Sequence, residues 1–381
     1  MRNRWLVLIA SMTLAVLAQA GPASSQQGPI KVGLDVPASG GDAFEGHEIS
    51  QGAQLAFEEQ NAAGGVGGRR VETVLGDNQC DPAVGVNSVR RLVNVDKVDA
   101  MIGSGCSSVT LAVMPILQQG GVPSLDVTAT NPRITQQSGV GGNPWKFRLN
   151  LNDELMATVF ARRVIAKEVK SLAIFAVQTD YGRGASEIFK RELPGVRVVS
   201  EEYYPIGQAE FRSILTRTKS LNPEGFLLIA DYPEAAQIIS QAREVGMSGF
   251  KVYGRGTVVT PEMLKLLQNA CWADGAKEAN FWAPNEATKD LANRYQARFK
   301  EPLTRTSGMG YFGAQTLLQA MKTIKGDINA KSIRDALEKI DFNLPGLGQV
   351  KFDDHHQVHY PMYILAVQNC QVNILETVPT N

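Results

Sequence analysis

Short apolar runs and segments with helical spacing alternate along most of the chain. The run at 30–36 (IKVGLDV) is rich in β-branched residues, which is typical of a buried strand. After a glycine-rich stretch at 37–46, the apolar residues Ile49, Ala53 and Ala56 recur on one face of a predicted helix. Strands that alternate with helices at this spacing predict a parallel sheet with helices on both faces.

The alternation extends to about residue 128 and resumes beyond Pro144, which predicts two units of similar size. The predicted fold class is therefore α/β, with two doubly wound parallel-sheet lobes and a ligand cleft between them. The other predicted strands are 69–77, 98–104, 122–128, 170–178, 196–205, 225–231, 250–256 and 362–369. The other predicted helices are 82–96, 109–121, 182–194, 211–223, 233–246, 287–302, 307–324 and 329–340.

The loops that follow the strands are the candidate binding segments, because ligands of such sheets bind outside the carboxyl ends of the strands. These loops are Pro37–Gly46, Gly103–Ser108, Thr128–Asn131, Gln178–Gly182, Asp231–Pro233 and Gly254–Thr257.

The first twenty residues have the three parts of a secretory signal peptide. Arg2 and Arg4 precede an apolar stretch, and an A-x-A pattern ends at Ala20. The apolar stretch is short for a transmembrane helix, which needs about 20 residues. We expect cleavage near Ala20, a polar linker at 21–28 and a soluble mature protein exported to the periplasm.

Composition narrows the function classes. The 381 residues carry a formal net charge of zero, which argues against a nucleic-acid or membrane-surface role because both favour a basic excess. The length is sufficient for two domains with a substantial core. In an oxidising compartment the even number of four cysteines, Cys80, Cys106, Cys271 and Cys370, suggests disulfides. Spacing alone leaves three pairings open.

The loop GSGCSS at 103–108 suggests three kinds of chemistry. It lacks the third glycine of a dinucleotide-binding loop. A catalytic thiol at Cys106 would need a nearby base, and neither His47 nor the cluster of His355, His356 and His359 occurs in a catalytic motif. The third is an anion site at a helix N-terminus, where Ser107, Ser108 and Thr110, with Thr128 and Thr130 of the next loop, would supply hydroxyls. Any one of these residues is more commonly a cap or a turn residue, but two such loops facing a cleft favour a carboxylate site.

Two longer stretches carry a family resemblance. The segments NAAGGVGGRRVETVLGDNQCDP and IGSGCSSVTLAVMPILQQGGVPSLDVTATNP resemble the periplasmic branched-chain amino-acid binding proteins of ABC transporters. The resemblance covers nearly the whole mature chain, including DYGRG and SGMGYFGAQTLLQA. It implies a type I periplasmic binding protein fold, in which two lobes are crossed three times by the chain and close on the ligand.

The resemblance also implies a disulfide between Cys80 and Cys106, and Cys271 and Cys370 then remain as a second pair. We expect the crossover segments, which would act as hinges, at Leu149–Asn152, Phe281–Pro284 and Asp353–Tyr360. The corresponding domain boundaries assign 29–149 and 283–354 to lobe 1, and 150–282 and 355–381 to lobe 2.

Individual ligand contacts are implied when the loops of this chain are matched to the corresponding loops of the family. In the family, the serine after the cysteine and the small residues of the next loop hold the ligand's carboxylate and amino groups. Here these are Ser107, Thr128, Ala129 and Thr130. Tyr181, in the DYG segment, would cover the ligand from the second lobe.

Departures from the family pattern bear on the ligand. Amino-acid binders usually carry an acidic residue after a strand of the second lobe, where this chain has Arg255. An arginine repels an ammonium group and offers a forked donor to a carboxylate. The first loop has Phe44 and Glu45 where amino-acid binders tend to have a tyrosine, while the Asp231-Tyr232 loop retains one carboxylate.

The sequence-based hypothesis is therefore a ligand with a carboxylate and no essential α-amino group, such as an aromatic or other organic acid. Phe44, Tyr181 and Tyr232 would supply apolar walls. If Arg255 is instead a surface residue paired with Glu262, an ordinary amino acid becomes the expected ligand.

The expected role is a solute-binding protein that closes on its ligand and delivers it to an inner-membrane permease. A soluble ligand sensor of the same fold is the alternative. We expect a monomer with no catalytic group, cofactor, metal site or nucleic-acid partner.

Overall fold

The computed structural model describes residues 28–380. The predicted signal peptide at 1–20, and the predicted linker except its last residue, lie outside the described residues. None of the helices within 28–380 is long and apolar enough to cross a membrane.

Strands β1–β5 form one parallel sheet in the order β2-β1-β3-β4-β5. Their bounds are β1 Ile30–Val36, β2 Val71–Asp77, β3 Ala100–Gly103, β4 Ser124–Asp126 and β5 Lys146–Arg148. The first helices of the chain are α1 Ala43–Ala62, α2 Pro82–Arg91, α3 Ser107–Gly120 and α4 Pro132–Gln136. A π-helical turn extends α2 over Leu92–Asp96.

Alternate residues of this sheet face two separate helical layers. Ile102 belongs to the core that includes α1, whereas its neighbour Met101 packs with residues of α2 and α3. The sheet is therefore covered on both faces, as predicted for a doubly wound lobe.

The second sheet has seven strands in the order β14-β13-β10-β9-β8-β6-β7. The bounds are β6 Ser171–Val177, β7 Arg197–Tyr204, β8 Gly225–Ala230, β9 Lys251–Gly256, β10 Lys277–Asn280, β13 Met362–Gln368 and β14 Gln371–Val378. The pairs from β7 to β10 are parallel, but β13 is antiparallel to β10 and β14 to β13. This antiparallel edge departs from the purely parallel sheet that was expected.

The helices of the second half flank this sheet or return to the first one. Their bounds are α5 Asp153–Phe160, α6 Ala166–Glu168, α7 Asp180–Glu192, α8 Arg212–Ser220, α9 Tyr232–Glu244, α10 Pro261–Leu266, α11 Lys289–Phe299, α12 Arg305–Thr323 and α13 Ala330–Leu337. A π-helical turn at Ala161–Ile165 joins α5 to α6, and 3₁₀ turns occupy Ala270–Ala273 and Glu286–Thr288. A hairpin of β11 (Asp341–Leu344) and β12 (Gly348–Lys351) lies between α13 and β13.

The chain passes between the two sheets after β5, after β10 and before β13. Lobe 1 is the body around the five-stranded sheet with α12, and lobe 2 is the body around the seven-stranded sheet. The residue-level boundaries and hinge segments given above stay predictions.

Helix α1 packs tightly against α12, which brings both helix N-termini to the cleft. A Cβ atom at Gly52 would overlap the carbonyl oxygen of Ser307, and one at Gly310 would overlap that of Ile49. The two backbones therefore approach more closely than side chains allow. Helix α1 begins at Ala43, inside the stretch expected to be a loop, so Phe44 and Glu45 lie in its first turn.

Candidate ligand-binding site

A small cavity lies in the cleft, at the carboxyl ends of strands from both sheets. Its free volume is about 50 Å³. We call it the inner cavity. Its lining residues are Asp42, Glu45, Cys80, Gly105, Cys106, Ser107, Ser108, Thr128, Ala129, Thr130, Val177, Thr179, Tyr181, Ile206, Asp231, Arg255, Gly256 and Arg305. Of the residues proposed for the ligand site, Phe44, Tyr232 and Thr110 are not in this set. Thr110 instead donates from Oγ1 to Oδ1 of Asp126 at 3.3 Å. Whether each of the others contacts a ligand stays a prediction.

The N-terminus of α3 forms one wall of the inner cavity. Cys106 is the residue before its first turn and is disulfide-bonded to Cys80, with Cα atoms 5.5 Å apart. The first N–H groups of a helix have no partner within the helix, so they suit an anion. The disulfide fixes this helix end relative to the loop that precedes α2.

The hydroxyls near this helix end also hold the surrounding backbone. The Ser107 Oγ accepts a hydrogen bond from the backbone N–H of Asn131 at 3.2 Å. Thr128 donates from Oγ1 to the carbonyl oxygen of Gly105 at 3.2 Å, and Thr130 donates to Oδ2 of Asp153 at 2.9 Å. The two loops predicted to bind the ligand thus brace each other, which preorganises the wall they form.

Arg255 does not offer the free forked donor that the sequence suggested. Its guanidinium donates from Nε to Oδ1 of Asp153 at 2.7 Å, and Nη2 lies 2.6 Å from the same oxygen. Both side chains are buried, so the charge of Arg255 is neutralised inside the protein. Tyr181 donates from its hydroxyl to the carbonyl oxygen of Arg255 at 2.6 Å. The observation that motivated an organic acid is therefore weakened.

Three carboxylates also line the inner cavity. The Oδ2 of Asp42 lies 3.8 Å from Sγ of Cys106, beside the N-terminus of α3. Asp42 precedes the first turn of α1 without capping it, Glu45 lies in that turn, and Asp231 follows β8. Burial and, after it, the charge of Asp231 together raise the pKa of Glu45 to about 8, against a lowering effect of Arg305. Burial and the neighbouring carboxylates also raise the pKa of Asp42 well above its ordinary value. Such a cluster attracts a cationic group, whose charge would stabilise the ionised carboxylates.

Arg305 lowers the pKa of Glu45 and also lines the inner cavity, and a hydrogen bond of its side chain crosses the cleft. It donates from Nη1 to the carbonyl oxygen of Gly256 at 2.7 Å. Thr257 donates from Oγ1 to Oδ1 of Asp231 at 3.0 Å, which orients that carboxylate.

Two further hydrogen bonds join the lobes in this structure. The Ser108 Oγ accepts from the backbone N–H of Asp180 at 2.9 Å, and Asn131 donates from Nδ2 to the carbonyl oxygen of Asp180 at 2.7 Å. With the Arg305–Gly256 bond, these contacts place the molecule in a closed arrangement. Ser108, predicted to bind the ligand, makes a contact between lobes.

Phe44 lies outside the inner cavity and contacts Tyr232. The ring centroids are 4.6 Å apart and the rings meet edge to face, at 64°. Both residues line a second, larger cavity in the same cleft.

Cysteines and histidines outside the inner cavity make contacts within the fold. Cys271 is disulfide-bonded to Cys370, away from the inner cavity. His356 is stacked on Phe147 with ring centroids 4.0 Å apart, and His359 lies 2.8 Å from Oδ2 of Asp353.

Three residues of the site were missed by sequence reasoning. Asp42 lies in the candidate binding segment Pro37–Gly46, but no sequence feature distinguished it from the neighbouring residues. Asp153 is 102 residues from Arg255, and no local pattern reveals such a pairing. Arg305 begins α12 just ahead of the segment that carried the resemblance.

Comparison with known proteins gives a consistent picture. A sequence profile of the family described as "Periplasmic binding protein" matches residues 29–371. The chain is 26% identical over 360 residues to Leu/Ile/Val-binding protein homolog 1 of Brucella abortus, covering 92% of each chain.

Solved structures share the fold. The branched-chain amino acid transporter substrate binding protein LivJ of Streptococcus pneumoniae, in complex with isoleucine, has a TM-score of 0.82 at 26% identity, over 92% of this chain and 99% of that one. A solute binding protein of an ABC transporter from R. palustris, in complex with benzoate, has a TM-score of 0.83 at 22% identity, over 92% and 97%.

Proposed function

The chain belongs to the periplasmic binding protein family, and on this premise we propose that it binds a free α-amino acid in the inner cavity. Solute-binding proteins of ABC transporters have this fold. The observation that carries the proposal is that Asp42, Glu45 and Asp231 line the same cavity as the N-terminus of α3. Such a cavity can accommodate both a cationic group and an anionic group.

These groups suit the two charges of an amino-acid zwitterion. The ligand carboxylate would accept hydrogen bonds from the first N–H groups of α3 and from the hydroxyl of Ser107, which accepts but does not donate within the described part of this structure. The ligand ammonium would lie between Asp231 and Glu45. Burial, and after it the charge of Asp231, raise the pKa of Glu45, and an ammonium group beside Glu45 would favour its ionised form.

Closure would follow from contacts with both lobes at once. The N-terminus of α3, which would bind the ligand carboxylate, and the Glu45 side chain belong to lobe 1. Asp231 belongs to lobe 2. A ligand that touches both favours the closed form by its differential affinity for that form. The closed protein would then dock on an inner-membrane permease, with residues 1–20 having directed export to the periplasm.

An aromatic or other organic acid is the second candidate. The side chains of Arg255 and Arg305 line the inner cavity, and a guanidinium is a good partner for a carboxylate. For such a ligand Arg255 would have to share its guanidinium between Asp153 and the ligand carboxylate, because its Nε and Nη2 already lie against Asp153.

Isothermal titration calorimetry decides between the two candidates. The protein would be unfolded and refolded with its disulfides intact, so that it is free of ligand carried through purification. We expect amino acids to bind and benzoate, 4-hydroxybenzoate and phenylpropenoates to give no heat. Binding of the aromatic acids without binding of amino acids would contradict the proposal and restore the organic-acid hypothesis.

A further inference from the structure

Arg305 lies where the two lobes and the chain between them come together. It is the first residue of α12 in lobe 1, and it is only 9% exposed. Its Nη1 donates to the carbonyl oxygen of Gly256, at the end of β9 in lobe 2, at 2.7 Å. Its guanidinium carbon lies 4.8 Å from the ring centroid of Phe281, just after β10. One buried side chain of lobe 1 therefore contacts both lobe 2 and the segment that leads out of it.

Carboxylates from both lobes line the inner cavity together with Arg305. Asp42 and Glu45, at the start of α1, belong to lobe 1, and Asp231, after β8, belongs to lobe 2. Burial and, after it, the charge of Asp231 raise the pKa of both Asp42 and Glu45. The carboxylates of the two lobes therefore repel one another across the closed cleft.

Arg305 offsets more of this negative charge than Arg255 does, although both line the cavity. The guanidinium of Arg255 is paired with Asp153. Burial raises the pKa of Asp231, and Arg305 lowers it more than Arg255 does. Arg305 also lowers the pKa of Glu45, against larger effects of burial and of Asp231. One positive charge of lobe 1 thus acts on carboxylates of both lobes.

We propose that Arg305 is the counter-charge that allows the two lobes to close. Closure brings the carboxylates of the two lobes together out of water, and the charge of Arg305 offsets their repulsion. Its hydrogen bond to Gly256 adds an attraction between the lobes in the closed form. Arg305 is a positioning residue in this role, and it sets the balance between the open and closed forms. The inference concerns the chain's own residues, so it does not depend on which ligand the protein binds.

Disulfide trapping measures the closed fraction of the ligand-free protein. A Cβ atom on Gly41 of lobe 1 would lie 2.6 Å from Cγ2 of Ile206 of lobe 2. The double variant Gly41→Cys, Ile206→Cys therefore brings two sulfur atoms together when the lobes close. Under a mild oxidant, the rate of bond formation is proportional to the closed fraction when the lobes move faster than the thiols react. Peptide mapping verifies that the new bond has formed and that both native disulfides are retained.

Charge variants are compared in this double-cysteine background. Arg305→Gln should lower the trapping rate about tenfold or more, the usual effect of losing a hydrogen bond with a charged donor. Arg305→Lys keeps the positive charge and should lose less. Arg298→Gln is the matched control, because Arg298 lies on α11 and pairs with Glu58 in an exposed position. A trapping rate in folded Arg305→Gln equal to that of the control would overturn the proposal.

Asp231→Asn separates a role as counter-charge from a role in packing. Without Arg305, removing the charge of Asp231 relieves repulsion between the lobes, so Asp231→Asn should raise the trapping rate of Arg305→Gln. With Arg305 present, the same change also removes an attraction, so the rate should rise less or fall. Equal effects of Asp231→Asn in the two backgrounds would show that Arg305 acts by packing alone and would overturn the proposal. If Arg305→Gln does not fold, Arg305→Met gives the same comparison with an uncharged side chain suited to a buried site.

Discussion

Arg255 and Asp153 form a buried ion pair that joins the end of β9 to the start of α5. The Nε of Arg255 donates to Oδ1 of Asp153 at 2.7 Å, and Thr130 donates to the other carboxylate oxygen at 2.9 Å. Burial raises the pKa of Asp153, while Arg255 and the hydroxyl of Thr130 lower it. The pair thus supports the wall of the ligand site, and its arginine is not free for a ligand carboxylate.

Removing one partner of this pair is expected to destabilise the protein strongly. Asp153→Ala leaves the guanidinium of Arg255 buried without its counter-charge, which should lower the free energy of unfolding by about 3–5 kcal/mol. Urea-induced unfolding of the ligand-free protein measures this. Glu244→Ala is the control, because its pair with Arg212 is half exposed and should contribute about 1 kcal/mol or less. Equal losses in the two variants would contradict the assignment of a structural pair.

Asp231→Asn should weaken amino-acid binding without unfolding the protein. The change removes the negative charge that we place beside the ligand ammonium, at a cost of about 2–3 kcal/mol, or roughly 30- to 160-fold in Kd. Calorimetry on the variant and on Asp290→Asn gives the comparison, since Asp290 is exposed on lobe 1. Binding of the amino acid at wild-type strength by Asp231→Asn would remove Asp231 from the site.

Proton release should accompany binding at neutral pH. The pKa of Glu45 is raised from its ordinary value of 4.5 to about 8, so the ligand-free protein holds this proton at pH 7. An ammonium group beside Glu45 favours its ionised form and expels the proton. Because the free protein then binds more protons than the complex, affinity should rise with pH between about 6 and 8.

Titration in buffers of different ionisation enthalpy measures this proton release. Glu45→Gln should remove most of it. An organic acid should instead cause proton uptake on binding, because an anionic ligand stabilises protonated Glu45. Its affinity would therefore fall as pH rises. Proton uptake on binding would therefore argue against an amino acid.

The two disulfides should affect different properties. The cysteines are separated by 26 residues in Cys80–Cys106 and by 99 in Cys271–Cys370. Loop-closure entropy then predicts losses of unfolding free energy of about 3–4 and about 4–5 kcal/mol on replacement of each pair by serine. Only the first bond fixes the N-terminus of α3, so only its replacement should raise the ligand Kd. Equal affinities of the two double-serine variants would show that this bond does not preorganise the site.

The alternation of apolar runs predicted most of both sheets. Buried parallel strands are continuous apolar segments, and β6 at Ser171–Val177 lies within the run predicted at 170–178. Strand β14 was missed because it is exposed along most of its length and carries polar residues between its apolar ones. The start of α1 was missed because the glycines of 37–46 suggested a loop, whereas packing on α12 extends the helix to Ala43.

The ligand site could be predicted only in part. Loops that follow strands converge because of sheet topology, and that rule placed Ser107, Thr128 and Asp231 around one cavity. The state of Arg255 depended on a partner distant in sequence, so its availability could not be inferred from residue type. The size of each cavity depends on how the lobes meet, which no local pattern encodes.

The cross-cleft bonds also have a consequence for evolution. Ser108 and Asn131 of lobe 1 meet backbone atoms of Asp180, and Arg305 meets the backbone carbonyl of Gly256. A backbone group is present whatever side chain a mutation introduces at that position. Residues that select the ligand can therefore change while these hydrogen bonds between the lobes are kept, so the same fold can acquire new specificities and still close.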